Sequence, residues 1–258
     1  MTLSGIDAAL WQHAEPYILP VTENSMKNQT QSLRELLDLA NHYPSPHNGQ
    51  PIVLSQQNEQ TFTVLFERER GLQAAEVSLL FSYVTMGVFL QHITLCAKAL
   101  GHTLAYKLSL PPVESIKGRG AIRFASFRVS YNTAEPDEAL HKTLLFRQTS
   151  RKKYYEGLDE KVAARTVKIA ADHDMRLVET DRAGTHQAIW LNQRAVFDDM
   201  FDDDVRHELN HWLRYNRKEK EAKKDGLSYD CMELNGRAMK FAVRFYKILH
   251  APLISPML

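Results

Sequence analysis

The stretch Tyr43-Pro44-Ser45-Pro46-His47-Asn48-Gly49-Gln50-Pro51 decides most of what this sequence indicates about fold and function. Its three prolines fix φ, so the segment is predicted to be a rigid loop with one shape. Between the prolines stand a hydroxyl, an imidazole and two carboxamides, and a carboxamide can both donate and accept hydrogen bonds. Composition alone favours a polar helix-to-strand connector over a ligand-binding loop.

The elements around this proline loop follow from hydrophobic periodicity. Residues 26–42 are predicted to be helical, because apolar residues recur there at i, i+3, i+4 and i+7 and the prolines end the run. After the loop, two segments rich in β-branched and aromatic residues predict a hairpin, Ile52–Gln56 and Thr61–Phe66. Two further strands are predicted at Thr103–Leu110 and Ala121–Tyr131, with turn residues between them.

Between the two pairs of predicted strands lies the apolar stretch Val77–Leu100, which ends before Gly101, a predicted C′ glycine. It is long enough to cross a bilayer and carries no charged residue before Lys98. It also contains Gln91 and His92, so we predict a buried helix of a soluble protein.

A second series of elements follows residue 136. We predict helices at Asp137–Phe146 and at Asp159–Ala171, where Asp159 is the expected N-cap. Arg147–Tyr155 is predicted to be a basic loop and Arg176–Glu179 a short strand. The stretch Asp181–Asn216 is predicted to be mostly helical. Residues 217–226 are predicted to be a solvated charged run, and Tyr229–His250 a last helix.

Composition excludes several classes of protein. The chain of 258 residues carries 32 Lys and Arg against 31 Asp and Glu, and a net charge of +1 predicts no nucleic-acid partner. Its only cysteines are Cys96 and Cys231, so a disulfide scaffold is not expected and the cytoplasm is the predicted location. The N-terminus lacks a basic start followed by an apolar run, which argues against a signal peptide.

A second candidate site segment is Phe146-Arg147-Gln148-Thr149-Ser150-Arg151-Lys152-Lys153-Tyr154. Two guanidiniums on either side of a hydroxyl, directly after a helix, suit a phosphate dianion through bidentate hydrogen bonds. A solvated basic loop, or a nucleic-acid patch in which Tyr154 stacks on bases, explains the same residues.

Together these segments resemble the nitroreductase family. In that family a helix is followed by a Pro-Ser-x-x-Asn-x-Gln-Pro loop and then a strand, a pattern matched by Pro44, Ser45, Asn48, Gln50 and Pro51. The sequence departs from it at Gly49, where the family has threonine or another small polar residue, and at Ile52, where it has an aromatic one.

Two other segments extend the resemblance. Met86–Gly101 is similar to the family's central helix, in which Gly87 would allow close approach of a flavin or of another backbone. The segment around Arg147, Thr149 and Arg151 is similar to the family's phosphate-binding motif.

The resemblance implies an α+β fold of the nitroreductase type, with a mixed or antiparallel sheet flanked by helices. It implies FMN as cofactor, held by Ser45, His47, Asn48 and Gln50 at the ring and ribityl chain, and by Arg147, Thr149 and Arg151 at the phosphate. NAD(P)H would be the co-substrate, and a nitroaromatic, quinone or similar small molecule the electron acceptor. No side chain is assigned to proton transfer, because the flavin supplies the chemistry. An FMN-storage protein with little turnover is the alternative.

The order of the two motifs adds an expectation about domains. The proline loop precedes the phosphate segment by about a hundred residues, an order that resembles the internally duplicated branch of the family. Residues 1–135 would form a first half-domain and residues 136–258 a second one, so that one chain imitates the homodimer of simpler members; a homodimer of this chain is the alternative. The second half-domain is expected to be incomplete, because no second glycine-led helix follows.

A competing motif is His207-Glu208-Leu209-Asn210-His211, which matches the HExxH pattern of zinc peptidases. On a helix, two histidines four residues apart share one face and can bind zinc, and the glutamate acts as general base. Glu233 could supply a third ligand. A chance pair of surface histidines explains the match better in a chain with 11 histidines, so we predict no metal site.

Overall fold

The fold is α+β, with one antiparallel sheet flanked by helices. The computed structural model describes residues 23–75, 80–149, 159–173, 175, 181–233 and 235–245. The sheet has four strands in the order β1-β2-β4-β3, and every neighbouring pair is antiparallel. The strands are β1 Ile52–Gln56, β2 Thr61–Glu67, β3 Thr103–Leu108 and β4 Ala121–Ser130.

The sheet buries one face, as the alternation of its residues requires. Along β2, Phe62, Val64 and Phe66 are buried while the residues between them are half-buried. Phe62 stacks on Phe127 of the adjacent β4, with ring centroids 5.0 Å apart. The predicted hairpin of β1 and β2 is therefore confirmed, and so are the two later strands with slightly shorter bounds.

Two helices cover the buried face of the sheet: α1, Glu23–Ala40, and α2, Leu80–Ala99. Helix α2 has ten buried residues, and seven of them, including Met86, Phe89 and Ile93, belong to the main core. It is the one helix among the described residues that is long and apolar enough to cross a membrane, and half of its apolar window is buried within the protein. The predicted core helix is confirmed, and Gly101 follows it with φ of 73°.

The remaining helices continue along the chain from the sheet. Their bounds are α3 Glu138–Phe146, α4 Glu160–Asp172, α5 Arg182–Phe201, α6 Asp203–Trp212, α7 Arg217–Lys223 and α8 Gly236–Arg244. Helix α3 packs Leu144 into the main core. Two short strands, β5 Leu213–Arg214 and β6 Leu227–Ser228, pair in parallel and bring Leu213, Leu227 and Met239 into a second, smaller core.

Helix boundaries in the second half show where the sequence prediction failed. The helix expected from Tyr229 begins only at Gly236, with the Asn235 side chain accepting hydrogen bonds from the backbone N–H of Arg237 and Ala238. A side chain at Gly236 would put its Cβ 1.9 Å from Tyr215 O, so the chain turns there against another element. The prediction that Asp181–Asn216 is mostly helical is confirmed, since α5 and α6 fill most of it, with a break at the Asp202 cap and β5 near its end. The predicted strand Arg176–Glu179 lies outside the described residues.

Candidate functional site

The proline loop adopts a backbone conformation that costs energy. His47, Asn48 and Gln50 have φ of 49°, 51° and 51°, in the left-handed region that non-glycine residues rarely occupy. Each such residue costs on the order of 1 kcal/mol, and such conformations concentrate at functional sites. The loop is held in this shape from within, because Ser45 Oγ accepts a hydrogen bond from Gln50 N at 3.0 Å and Ser45 O accepts one from Asn48 N.

Gly49 lies where the loop is packed most closely. A Cβ on this residue would lie 2.8 Å from Arg70 O and 3.6 Å from the Trp212 ring. The Arg70 side chain donates from Nε to Gly49 O at 2.7 Å and lies over the Trp212 ring, 5.6 Å from its centroid. The neighbours of Gly49 therefore require a glycine, at a position where the nitroreductase pattern compared above has a larger residue.

The two carboxamides of the loop bind a segment that lies almost 180 residues further along the chain. We call residues 224–226, which connect α7 to β6, the covering turn. Asn48 accepts from Gly226 N through its backbone oxygen at 3.1 Å and donates from Nδ2 to Gly226 O at 3.3 Å. Gln50 donates from Nε2 to Lys224 O at 3.1 Å and to Asn48 Oδ1 at 3.2 Å. These contacts make the covering turn part of the site.

A charged triad fixes the covering turn from its other side. The Asp225 carboxylate accepts hydrogen bonds from Arg70 Nη2 at 2.9 Å and from Arg214 Nη2 at 2.6 Å. The side chain of Arg214 is only 2 % exposed, so its charge needs this partner. Burial would raise the pKa of Asp225, but the hydrogen bonds and charges of Arg214 and Arg70 outweigh it and hold that pKa below its ordinary value.

These segments enclose a cavity of about 670 Å³. One wall is the proline loop, another is Arg147–Thr149 at the end of α3, and the third is the covering turn with β6 and the residues after it. The lining residues are Tyr43, Pro44, Ser45, His47, Asn48, Arg147, Gln148, Thr149, Gly226, Leu227, Ser228, Asp230, Cys231 and Glu233. The volume is within the range of roughly 300–1,000 Å³ that small-molecule and cofactor sites occupy.

The charges in this cavity are separated along its walls. Arg147 stands at the α3 side, where its Nη2 donates to His42 O at 3.1 Å and its Nη1 approaches Thr149 Oγ1 at 3.4 Å. On the wall formed by β6 and the residues after it, hydrogen bonds from Lys220 and then from the Ser228 side chain lower the pKa of Asp230 to about 2. Burial raises the pKa of Tyr43 to about 12, so its hydroxyl stays protonated beside the loop.

The structure brings together five of the seven residues predicted to form the site. Ser45, His47, Asn48, Arg147 and Thr149 line the same cavity. Gln50 does not line the cavity among the described residues, because its amide is directed to the covering turn. Arg151 lies outside the described residues.

Sequence reasoning missed the third wall of the cavity. Asp230, Cys231 and Glu233 stand there, together with Gly226 and Ser228 of the covering turn and β6. The sequence signal for this wall was Asp225-Gly226-Leu227, which follows a charged run and is typical of a turn. No local pattern indicates that this turn contacts the proline loop.

The structure also bears on Gly87 and on the HExxH motif. No described atom lies within 4 Å of a Cβ built on Gly87, so this glycine is not required by a helix crossing. The Glu208 carboxylate accepts hydrogen bonds from the backbone N–H of Ala74 and Ala75, at 3.0 and 2.9 Å. It is thereby committed to the turn after β2. The described residues contain no group of three or more His, Cys, Asp or Glu side chains that could hold a metal ion.

Comparisons with known proteins add little to this description. No family model and no curated protein sequence matches the chain. Among solved structures, the chain is similar to a nitroreductase family protein from Clostridium difficile, with 14 % sequence identity and a TM-score of 0.32. The similarity covers 50 % of this chain and 87 % of that one. The α+β fold assignment rests on the sheet and helices themselves.

Proposed function

We propose that the cavity between the proline loop and Arg147–Thr149 binds FMN, and that the protein is a cytoplasmic oxidoreductase. The flavin would pass electrons from NAD(P)H to a small acceptor such as a nitroaromatic or a quinone. One observation carries the proposal. Two segments separated by about a hundred residues, each of which resembles a different part of a nitroreductase flavin site, line one cavity.

The groups around the cavity fit FMN chemically. The guanidinium of Arg147 and the hydroxyl of Thr149 suit the phosphate dianion, and they already lie side by side. The Asn48 amide has a second N–H and its oxygen a second lone pair beyond the bonds to Gly226 and Gln50, so it can still pair with a flavin edge. Bound FMN would supply two-electron transfer, while these residues bind and orient it.

The strained loop supports a binding role over a simple connector. A connector between α1 and β1 has no need of three left-handed residues. Here the loop is fixed by Ser45, by the covering turn and by Arg70. A site whose shape is fixed beforehand loses less conformational entropy when a ligand binds.

The binding claim is tested by titrating the purified protein with FMN and following flavin fluorescence. We expect uptake in the wild type and a loss of affinity of roughly tenfold or more in Arg147→Ala, because a charge-assisted contact to phosphate is removed. Arg165→Ala, which removes an exposed arginine of α4, is the matched control and should bind as the wild type does. A protein that takes up no FMN would refute the proposal.

The oxidoreductase claim needs a separate measurement. FMN-loaded protein is mixed anaerobically with NADH or NADPH, and bleaching of the flavin absorbance is recorded before a quinone or nitroaromatic is added. Reduction followed by reoxidation supports an enzyme. Tight binding without reduction by either nucleotide would instead assign the storage role, since the same contacts serve both functions.

A further inference from the structure

A second cavity, of about 510 Å³, lies where α6, β5, α7 and α8 meet. We call it the basic cavity. Among its lining residues are Arg206, His207, His211, Lys223, Lys240 and Arg244. None of them lines the cavity of the proposed flavin site.

The basic cavity collects cationic groups from three helices. Arg206 comes from α6, Lys223 from the last turn of α7, and Lys240 and Arg244 from α8, where they are four residues apart on one face. Like charges gathered in a cavity repel one another, and an anionic ligand removes that repulsion.

The one acidic residue of the lining is already committed. Glu219 accepts hydrogen bonds from Tyr215 N and from Asn216 Nδ2, both at 2.8 Å, and so it caps the start of α7. Arg206 has an ion pair with Asp203, and Arg214 has one with Asp225. Within the part of the chain that the structure describes, no carboxylate forms an ion pair with Lys223, Lys240 or Arg244.

The histidines of the HExxH sequence line this same cavity. His207 and His211 lie on one face of α6, while Glu208 points to the backbone N–H of Ala74 and Ala75 on the other side. With the glutamate turned away and arginines and lysines beside the imidazoles, the surroundings disfavour a divalent cation. Imidazole N–H groups are hydrogen-bond donors that suit phosphate oxygens.

From these observations we infer that the basic cavity binds a small ligand carrying at least two phosphate groups, such as pyrophosphate or a nucleoside diphosphate. Lys223 on α7 and Lys240 and Arg244 on α8 line the cavity and have no ion-pair partner among the described carboxylates, and a single phosphate group carries too little charge to neutralise all three. A linear polyphosphate can contact several of them at once. The inference is independent of the flavin proposal, because the two cavities share no residue.

The test uses isothermal titration calorimetry of the full chain with inorganic pyrophosphate at fixed ionic strength. We expect saturable binding of one equivalent, and a loss of affinity of about tenfold or more in Lys223→Glu and in Lys240→Glu. Inorganic phosphate should bind more weakly than pyrophosphate. The matched control is Lys218→Glu, because Lys218 is an exposed lysine of the same helix α7 that does not line the cavity.

Three outcomes would overturn the inference: no binding at millimolar pyrophosphate, equal weakening by Lys218→Glu and Lys223→Glu, or equal affinity for phosphate and pyrophosphate. Circular dichroism of each variant shows whether it is folded. Where Lys240→Glu does not fold, Lys223→Glu keeps the test valid, since its side chain is exposed at the end of α7. FMN uptake by Lys223→Glu should equal that of the wild type, which keeps this test distinct from that of the flavin site.

Discussion

At the scale of single residues, the proline loop depends on Gly49. The neighbouring Arg70 O lies 2.8 Å from where a Cβ would stand, and this oxygen belongs to the backbone, which cannot rotate away. We therefore expect Gly49→Ala to destabilise the protein by about 1–3 kcal/mol, as overpacked substitutions do. Urea unfolding followed by circular dichroism measures the change.

Gly87 provides the matched control for this substitution. It lies in the interior of α2, and a Cβ there would meet no described atom within 4 Å. Since alanine favours a helix over glycine, Gly87→Ala should raise the free energy of unfolding by up to about 1 kcal/mol. If both variants shifted the unfolding midpoint in the same direction, close packing around Gly49 would not be the reason why Gly49→Ala changes stability.

The residues of the loop also show what a sequence can predict at this scale. Ser45, His47 and Asn48, which were predicted from sequence to contact a ligand, line a cavity in the structure, and their binding of FMN stays a prediction. The left-handed conformations of His47 and Gln50 could not be predicted, because they depend on Ser45, Arg70 and the covering turn. Such tertiary contacts override the local preference of each residue.

At the scale of elements, α6 is attached to the first half of the chain through Glu208. Its carboxylate accepts from two backbone N–H groups in the turn after β2, at Ala74 and Ala75. We expect Glu208→Ala to lower the free energy of unfolding by roughly 1–3 kcal/mol, because two donors lose a charged acceptor. The chelator EDTA should leave the midpoint of the wild type unchanged.

Glu221→Ala is the control for this prediction. Glu221 forms an exposed ion pair with Arg217 within α7, and its side chain is 60 % exposed. Its loss should cost at most about 0.5 kcal/mol. A large effect of EDTA, matched by His207→Ala, would contradict the assignment of Glu208 to the turn and restore the metal hypothesis.

Elements with strong local signals were predicted well. The β1–β2 hairpin, α2 and the N-cap at Asp159, which accepts from Lys161 N and Val162 N, all agree with the structure. The prediction failed from Tyr229 to Glu233, where turns that follow β6 stand in place of the expected helix. Two-residue strands such as β5 and β6 carry no periodic pattern, and their pairing is set by the packing of Leu213 on Leu227.

At the scale of the whole molecule, Asp225 joins the two halves of the chain. It pairs with Arg70 from the first half and with the buried Arg214 from the second. We expect Asp225→Asn to lower the free energy of unfolding at neutral pH by roughly 3–5 kcal/mol, because a buried guanidinium loses its charged partner. The control Asp198→Asn removes a pair on α5 whose side chains are more than half exposed, and should change little.

The same carboxylate predicts a pH dependence. Its pKa is lower in the folded than in the unfolded protein, so its contribution is fully present above the unfolded pKa of about 4 and is lost as pH falls through the folded value. The difference in unfolding free energy between wild type and Asp225→Asn should therefore shrink below about pH 4. A difference that stays constant from pH 7 to pH 3 would show that the carboxylate charge is not what stabilises the pair.

The halves expected from sequence, residues 1–135 and 136–258, stay a prediction. The structure adds contacts that cross this boundary, since α3 packs on the first core and the covering turn binds the proline loop. No sequence pattern indicated the contacts of the covering turn, because they join residues 174 and 178 positions apart.

The stacking of Arg70 on Trp212 gives the protein an optical signal of its own. Trp212 is 2 % exposed and lies against Gly49, whereas Trp190 on α5 is 60 % exposed. An indole shielded from water emits at shorter wavelength than one in contact with it, so of the two tryptophans in the described residues Trp212 supplies a shielded component of the emission and Trp190 a solvated one. Release of the proline loop from the second half would admit water to Trp212 and shift the shielded component to the red. A fluorimeter can thus follow the meeting of the two halves in solution without a label.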